Sequence, residues 1–523
     1  MYLKRKIAAA LSVVALLTSG CMVGPDFTHP GAFVSEDYTQ IEDEGVHKQL
    51  GSDLAEWWES INDPVLSELI YQTVGSGSEM GGSLTLQEMA WRVQQARARL
   101  GITTAELFPQ IQEDGSYVLS KYSENQTGSP EAAREANQDW NLGMSMAWEV
   151  DVFGRLKRYT ESASAEVEEM EELYYDAYII LLSDVAKNYV QARTLQEQID
   201  IAKKNIIIRR DTLKLTETMM EVGKSNALDV SQARGSLESV EAELPNLEAS
   251  YRAAVNRLSV LTGNPPGYVD EVMAEVRPVP KAPENIMVGI PMELLRRRPD
   301  IRAAERALVA QNAMIGAAMG DLYPIFTLNG NFGVNGANLG DMFEGSSTYA
   351  TVTPAFRWNI LNFGRYQSNV RLQEYIYQED VAKYRQTVLL AAEEVDNSLS
   401  AYVKGSSRVK RLQAAMEAYD NALDVSETRY REGKADFQRV LDSQREKLTY
   451  ELAYIRCKAE ITNSVIDLYR ALGGGWTHEQ GNIGNVSMTR AEDPTEEETG
   501  DSPITTDSGN EPEGGDTELD DLL

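Results

Sequence analysis

The sequence predicts an α+β membrane protein in which a strand hairpin followed by a very long helical hairpin occurs twice, by tandem duplication. Three observations lead to this fold class. Phe-Gly-Arg occurs at Phe153–Arg155 and again at Phe363–Arg365, about 210 residues later in a chain of 523. Before each copy, apolar residues alternate with polar ones, as in strands. After each copy, apolar residues recur at every seventh position, as in helices that wind around neighbouring helices.

The N-terminal residues have the pattern of an export signal. Lys4, Arg5 and Lys6 precede a mostly apolar run, Ile7–Leu17, and Ser19-Gly20-Cys21 follows. This run is too short for a membrane span and predicts a signal peptide over residues 1–20. A Cys directly after Ser-Gly resembles a bacterial lipobox, which makes Cys21 the candidate lipid attachment site. An ordinary signal peptide with an incidental cysteine is the alternative.

No later segment offers the roughly 20 consecutive apolar residues that a membrane helix requires. If the mature chain spans a bilayer, it must therefore do so with strands. Four stretches alternate, in two hairpins: Gln110–Ser120, Met144–Val152, Phe326–Val334 and Val352–Ile360. A soluble sandwich would alternate too, but charges on one face and Trp and Phe on the other favour a transmembrane barrel. Four strands cannot close a barrel, so several chains must share one.

Two long helices follow the strand hairpins. From Arg155 to about Met220 the sequence contains neither Gly nor Pro, and Val185, Val388 and Val395 belong to the seven-residue series. At 1.5 Å per residue, such a helix reaches about 100 Å. Each helix then breaks at a Gly and returns through a second helix. Two ordinary helical hairpins packed on each other are the alternative reading.

The repeat extends beyond the Phe-Gly-Arg joints. "EVGKSNALDV" matches "REGKADFQRV", which pairs Gly223 with Gly433, and "ELFPQI" (Glu106–Ile111) matches "DLYPIF" (Asp321–Phe326). At the joints, Gly154 and Gly364 are expected to supply backbone freedom where a strand becomes a helix.

Composition argues against several classes of function. Asp and Glu number 81 against 49 Lys and Arg, a net charge of −32, which disfavours nucleic acid as a partner. The three His show no metal-ligand spacing, and the sequence has no nucleophile elbow or phosphate loop. We therefore expect no cofactor, no metal and no enzymatic activity.

Four sequence blocks, spread from Cys21 to about Gly475, carry a family resemblance. They are "CMVGPDFTHP", "WWESINDPVLSELI", "GIPMELLRRRPDIRAAERAL" and the two "FGR" joints. Together they resemble the TolC/OprM outer-membrane efflux family, in its lipoprotein (NodT-type) branch. The resemblance implies a homotrimer with a 12-stranded barrel in the outer membrane, anchored by lipid, and an α-helical tube in the periplasm. It also implies docking to a periplasmic adaptor and to an inner-membrane pump of the RND type, for passive efflux of small toxic compounds.

The resemblance also implies roles for residues at the two helical tips. In the family, a Tyr of the second tip bonds to an Asp of the first and holds the periplasmic end shut; these positions match Tyr430 and Asp229. Asp442 matches an acidic position at the entrance. The family's basic residue after the second tip is Ala435 here, and a neighbouring entrance position is Arg439, both departures from the pattern. The tips that would dock the adaptor carry Gly223, Lys224, Gly433 and Lys434.

The predicted domains follow from the signal, the repeat and the resemblance. They are the signal peptide (1–20), a lipidated and equatorial segment (21–82), the first efflux repeat (83–263), an equatorial linker (264–297), the second efflux repeat (298–475) and an acidic disordered tail (476–523). Two other functions stay open at this point. One is an outer-membrane duct for type I protein secretion, and the other is a structural periplasmic coiled-coil lipoprotein, which the alternating strands disfavour.

Overall fold

The structure is a computed structural model. It describes residues 22–31, 46–47, 54–75, 82–121, 123, 125, 136–283, 286–288 and 297–476. All of these belong to one compact unit, residues 1–481. The predicted signal peptide, Cys21 and nearly all of the acidic tail lie outside the described residues.

The described residues form six strands and eight α-helices, with short 3₁₀ segments between some of them. The strands are β1 (Val46–His47), β2 (Gln110–Ser120), β3 (Asn137–Val150), β4 (Ile286–Met287), β5 (Ile325–Gly336) and β6 (Thr348–Arg357). The helices are α1 (Pro64–Val74), α2 (Leu84–Ala105), α3 (Arg155–Glu221), α4 (Ala227–Leu261), α5 (Asp270–Met273), α6 (Pro299–Gly320), α7 (Arg365–Arg431) and α8 (Phe437–Ala471).

The four predicted strands are confirmed and form one antiparallel sheet in the order β2-β3-β5-β6. The two hairpins have corresponding registers, with Gln110 opposite Ala147 and Ile325 opposite Arg357. The predicted end of the fourth strand at Ile360 is wrong. The equivalent positions of β3 reach Val150 because they pair with β5, whereas β6 has no further strand beside it among the described residues.

The long helices are confirmed. Helices α3 and α7 each contain 67 residues and begin at the predicted arginines, and α4 and α8 return with 35 residues each. Members of the seven-residue series are buried where the helices pack, among them Val185, Ala192, Val388 and Val395. Because these residues repeat along one stripe, they form an apolar seam between each long helix and its neighbours. Among the described helices, none has both the length and the apolar composition needed to cross a membrane.

Glycine with positive φ stands at both joints between strand and helix. Gly154 has φ of 77° and Gly364 of 85°, and each directly precedes its long helix. At Gly154 a Cβ atom would also lie 2.6 Å from the side chain of Met22, while at Gly364 it would meet open space. Gly154 is therefore required by conformation and by packing, and Gly364 by conformation alone.

Arg298 of the Arg-Pro-Asp block joins three helices. Its guanidinium donates to Asp300 on α6 at 2.7 and 3.0 Å, to Glu394 on α7 at 2.8 Å and to the Ala471 carbonyl at the end of α8 at 3.0 Å. The neighbouring Pro299 occupies the first turn of α6, where its missing N–H costs nothing. This conspicuous sequence block thus has a structural role, since it fixes where the second repeat starts.

A second buried arginine holds the N-terminal segment, residues 22–31. Arg158 of α3 is almost fully buried and donates to the carbonyls of Val23 and Gly24 and to Asp26. Its side chain crosses α6 at Gly316, where a Cβ atom would lie 2.7 Å from the arginine Nε. The segment that follows Cys21 is therefore fastened beside the first joint, against helices from both repeats.

This close crossing predicts the effect of adding one methyl group. Gly316→Ala should lower the free energy of unfolding by about 1–3 kcal/mol, because the buried guanidinium must move and lose hydrogen bonds. Thermal unfolding in detergent, with protease release of the N-terminus as a second readout, would measure it. Gly235→Ala is the matched control, since its Cβ atom meets open space in α4 and should stabilise by up to about 1 kcal/mol. Equal stability of the two variants would show that Arg158 is not tightly packed.

Candidate functional site at the helical tips

Each helical hairpin turns through a glycine in the left-handed conformation. Gly223 and Gly433 both have φ of 73°, and a Cβ atom on either would meet open space. The next residue closes each helix, because Lys224 N–H donates to the Met219 carbonyl and Lys434 N–H to the Arg429 carbonyl, both at 2.8 Å. The glycines are thus selected by the turn, as in the common helix C-cap with a residue in the αL conformation.

The returning helix of the first tip has an ordered polar start. Asn226 caps α4, and its side chain accepts a hydrogen bond of 3.0 Å from the Asp229 N–H. Asp229 lies in the first turn, where the helix dipole favours a carboxylate. Its Oδ2 accepts a further bond of 2.9 Å from the hydroxyl of Ser225 in the turn.

Tyr430 lies in a small apolar cluster that joins the two hairpins. The side chain is only 4 % exposed, and its ring lies 5.3 Å from that of Phe437. The buried members come from α4, α7 and α8 and are Ala233, Leu423, Tyr430, Phe437 and Val440. Burial in this cluster orients the tyrosine hydroxyl toward the first tip.

The contact between Tyr430 and Asp229 runs through a third residue. The Tyr430 hydroxyl donates to the Ser225 Oγ at 3.2 Å, and the same Oγ donates to Asp229. The family pattern leads one to expect a direct bond between tyrosine and carboxylate, whereas in this chain the serine lies between them. Sequence reasoning missed Ser225, because a serine next to a helix cap is common and gives no separate signal.

Asp442 stands apart from this relay. It lies on α8, accepts from Gln438 Nε2 at 3.0 Å, and has Arg445 at 3.7 Å. Arg439, at the other entrance position, is exposed. The predicted entrance acid is therefore balanced by nearby arginine and makes no contact with Tyr430 or Asp229.

The two tips present different surfaces. Both lysines are exposed, and Lys434 forms an ion pair of 2.8 Å with Glu432. The first tip also exposes Val222 and Leu228.

Above the tips, buried polar contacts add to the apolar packing. Gln444 of α8 donates to Thr212 of α3 at 2.8 Å, which links the second hairpin to the first. Within the first hairpin, Arg209 contacts Ser236, and burial lowers the pKa of its guanidinium. The hairpins are thus held near their ends by a few polar bonds and by two small apolar clusters, the one around Tyr430 and a second that contains Ile206, Leu237 and Val240. Among the described residues, no cluster of His, Cys, Asp or Glu has the arrangement of a metal site.

Comparison with known proteins gives a consistent result over most of the chain. The sequence model of a family described as "Outer membrane efflux protein" matches residues 79–264 and 290–474. Nodulation protein T of Rhizobium leguminosarum bv. trifolii is 29% identical over 462 residues, which are 88% of this chain and 96% of that protein. The probable efflux pump outer membrane protein SepC of Pseudomonas putida is 30% identical over 480 residues, 90% of this chain and 96% of that protein.

A solved structure extends the likeness to three dimensions. The outer-membrane channel OprN superimposes with a TM-score of 0.80 at 31% identity, covering 87% of this chain and 100% of that chain. The similarity spans both repeats, so it applies to the strand hairpins as well as to the helical tips.

The relay at the tips predicts a local effect of removing one hydroxyl. Ser225→Ala should leave the Tyr430 hydroxyl without an acceptor and Asp229 with one donor fewer, at a cost of about 1–3 kcal/mol. Hydrogen exchange should then become faster at both tips and stay unchanged at the middle of the long helices. Ser231→Ala is the matched control, because that exposed hydroxyl bonds only to the Ala227 carbonyl of its own helix. Unchanged exchange at the second tip would contradict the relay.

Proposed function

Because this chain belongs to the outer membrane efflux protein family, we propose that it is the outer-membrane channel of a tripartite efflux system. The single observation that carries the proposal is the match of both repeats and of the complete fold to outer-membrane channels. The family is one of ducts rather than enzymes, so the protein conducts solutes and performs no chemistry on them.

The strands and helices have distinct tasks in such a channel. Three copies contribute β2, β3, β5 and β6 to a shared barrel of 12 strands in the outer membrane. Lipid offers no partner to backbone N–H and C=O groups, so a sheet with two open edges requires neighbouring chains. The four long helices of each copy form the wall of a periplasmic conduit, and at 1.5 Å per residue the 67-residue helices give it a length of about 100 Å.

The helical tips close this conduit at rest. Tyr430, Ser225 and Asp229 hold the two tips of a protomer together, and Asp442 lines the entrance above them. The tyrosine–serine bond joins two neutral groups and contributes about 0.5–1.5 kcal/mol, less than a bond to a carboxylate. Three copies then give about 1.5–4.5 kcal/mol, which keeps the open state rare while leaving it accessible to a partner.

The partners follow from the same architecture. A periplasmic adaptor docks on the tips at Gly223, Lys224, Gly433 and Lys434 and opens the gate, and an inner-membrane pump of the RND type supplies the solute. Curated relatives carry names that specify cations, toluene or antibiotics. One fold serves all of these solutes, so we assign this chain small toxic compounds as a class and leave the choice among them to its pump and adaptor.

The gate and the channel can be tested in one experiment. In planar bilayers the wild type should give small, stable conductance steps, and Tyr430→Phe combined with Asp229→Ala should raise the open probability by one to three powers of ten. Cells carrying the double variant should become sensitive to vancomycin, which is too large for the closed channel.

Tyr419→Phe serves as the control, because Tyr419 stacks on Tyr450 elsewhere in the second hairpin. If the double variant conducts like wild type, the gate lies elsewhere. Absence of conductance from both proteins would contradict the channel itself.

The lipid anchor is a separate prediction. Cys21 follows Ser-Gly, and the described segment from Met22 onward is held at the first joint, which would place an attached lipid beside the strand ends. Radioactive fatty acid should label the wild type and not Cys21→Ser, while the variant still assembles because its strands hold it in the membrane. Equal labelling of both would exclude lipid attachment at Cys21.

A further inference from the structure

A polar cavity of about 140 Å³ lies where the second repeat begins. Its charged lining comes from four helices: Asp176 on α3, Arg298 and Asp300 at the start of α6, Glu394 on α7 and Arg470 on α8. Helix α3 belongs to the first repeat and the other three belong to the second, so the cavity lies in the junction between the repeats. A water molecule takes up about 30 Å³ in the liquid, so the cavity has room for several waters.

The second repeat supplies a nearly complete set of contacts within itself. The Arg298 guanidinium donates to Asp300, to Glu394 and to the Ala471 carbonyl. Arg298 is only 9 % exposed, and charged hydrogen bonds that are shielded from water in this way are strong. The two carboxylates of this set therefore already have a cation.

Two other groups in the cavity lack such a partner. Among the described residues, no donor lies within hydrogen-bond distance of the Asp176 carboxylate and no cation within ion-pair distance. Arg470 has Asp467 only at 3.7 Å, and its Nε atom is buried without an acceptor among the described residues. Asp176 and Arg470 thus line the same cavity without touching each other.

The cavity has one carboxylate in excess. Its three acids face two guanidinium groups, and Arg298 is shared by Asp300 and Glu394. Helices α1 and α2 also pack near α3, but in the described part of the chain they contribute no charged side chain to the lining. Burial, and after it the Asp300 carboxylate, oppose charge on Asp176 more strongly than the two guanidinium groups favour it. Together they raise the pKa of Asp176 to about 6.

The acid belongs to this junction and does not recur in the second repeat. Gly364 follows Gly154 by 210 residues, and the same offset pairs Asp176 with Gln386 on α7. Gln386 is exposed. An amide at the equivalent position shows that the long helix itself does not require a carboxyl group there.

We propose that Asp176 is a proton-binding site that tightens the junction between the two repeats in acid. Its protonated carboxyl donates a hydrogen bond across the cavity to the Asp300 carboxylate and holds α3 against the start of α6. Loss of the proton leaves a carboxylate that only water can satisfy, so the cavity hydrates and the contact loosens. Helix α3 continues to the first tip, and α7 and α8 meet at the second, so acid strengthens the contact from which both hairpins extend. The inference goes beyond the proposed channel and does not depend on it.

The direction of the pH effect follows from the raised pKa. Between the ordinary pKa of an aspartate, 3.8, and about 6, the folded protein holds a proton at Asp176 that the unfolded chain has released. The stabilisation is therefore fully present below 3.8 and is lost as the pH rises through about 6. Over this window the group should lower the folding equilibrium constant by up to about a hundredfold.

Thermal unfolding in detergent, repeated from about pH 4 to about pH 8, tests this direction. The amide of Asp176→Asn resembles the protonated acid and cannot ionise. Wild type and variant should melt almost together at the acid end, and the variant should melt higher at the alkaline end. Asp176→Gln, which carries the side chain found at Gln386, is a second neutral variant. Asp200→Asn is the matched control, because Asp200 of the same helix pairs with Lys204 and its loss should not stabilise the protein.

Two further measurements locate the proton and the loosened contact. The infrared difference spectrum of wild type minus Asp176→Asn should show the C=O stretch of a protonated carboxylic acid at about pH 5 and not at about pH 8. At the alkaline pH, hydrogen exchange should be faster in the wild type than in the variant around residue 176 of α3 and at the start of α6. Exchange at the two tips should be the same in both proteins.

Each outcome decides the proposal. An acid band that persists at the alkaline end, or neutral variants that melt with the wild type at every pH, would overturn the proton site and leave the proposed channel untouched. Neutral variants less stable than the wild type at the alkaline end would show that the ionised carboxylate is the stabilising form, which reverses the sign. A change in exchange confined to other helices would overturn the assignment to this junction.

Discussion

The structure depends on a hydrogen-bonding constraint at the two outer strands. Strands β3 and β5 have partners on both sides, while β2 and β6 each leave one row of backbone N–H and C=O groups without a strand partner in the described chain. In a bilayer each such group costs several kcal/mol if it stays unpaired. The sheet of one protomer is therefore incomplete in the outer membrane, and the joints, the long helices and the exposed apolar ends are all arranged so that neighbours complete it.

The joints connect the strands of the sheet directly to the helices of the conduit. At Gly154 and Gly364 the backbone turns from a strand into a helix without any intervening domain, so the position of a strand in the sheet fixes the position of a helix in the wall. Residues of the main apolar core line the part of the long helices nearer the joints, and the polar relay through Ser225 lies at their far ends. Packing is thus extensive in the part of the helices nearer the joints, while the tips are joined by a small apolar cluster and a polar relay.

Much of this arrangement could be predicted from the sequence because it repeats. The seven-residue series, the glycine turns and the duplicated joints are local signals, and they predicted the long helices and most strand ends to within a few residues. The start of β3 is an exception, since the strand begins at Asn137 and the prediction began at Met144. The features that could not be predicted are those that depend on distant contacts. The end of β6 depends on which strand lies beside it. The sequence around Arg158 does not distinguish it from other helical arginines, because its hydrogen bonds to Val23 and Gly24 form only in the folded chain. The hydrogen bond between Ser225 and Tyr430 exists only when the two hairpins pack against each other.

The open edges have a consequence for how the protein is made. A newly exported chain carries two unpaired strand edges and a row of exposed apolar side chains, including Phe108, Tyr375 and Phe363. Such edges pair readily with any other extended chain, so an isolated protomer is prone to aggregate. A single chain either closes the barrel with two further copies or associates wrongly with other chains. Correct closure depends steeply on the local concentration of copies. A cell that makes this protein therefore has to protect the single chain in transit and bring its copies together at the membrane quickly.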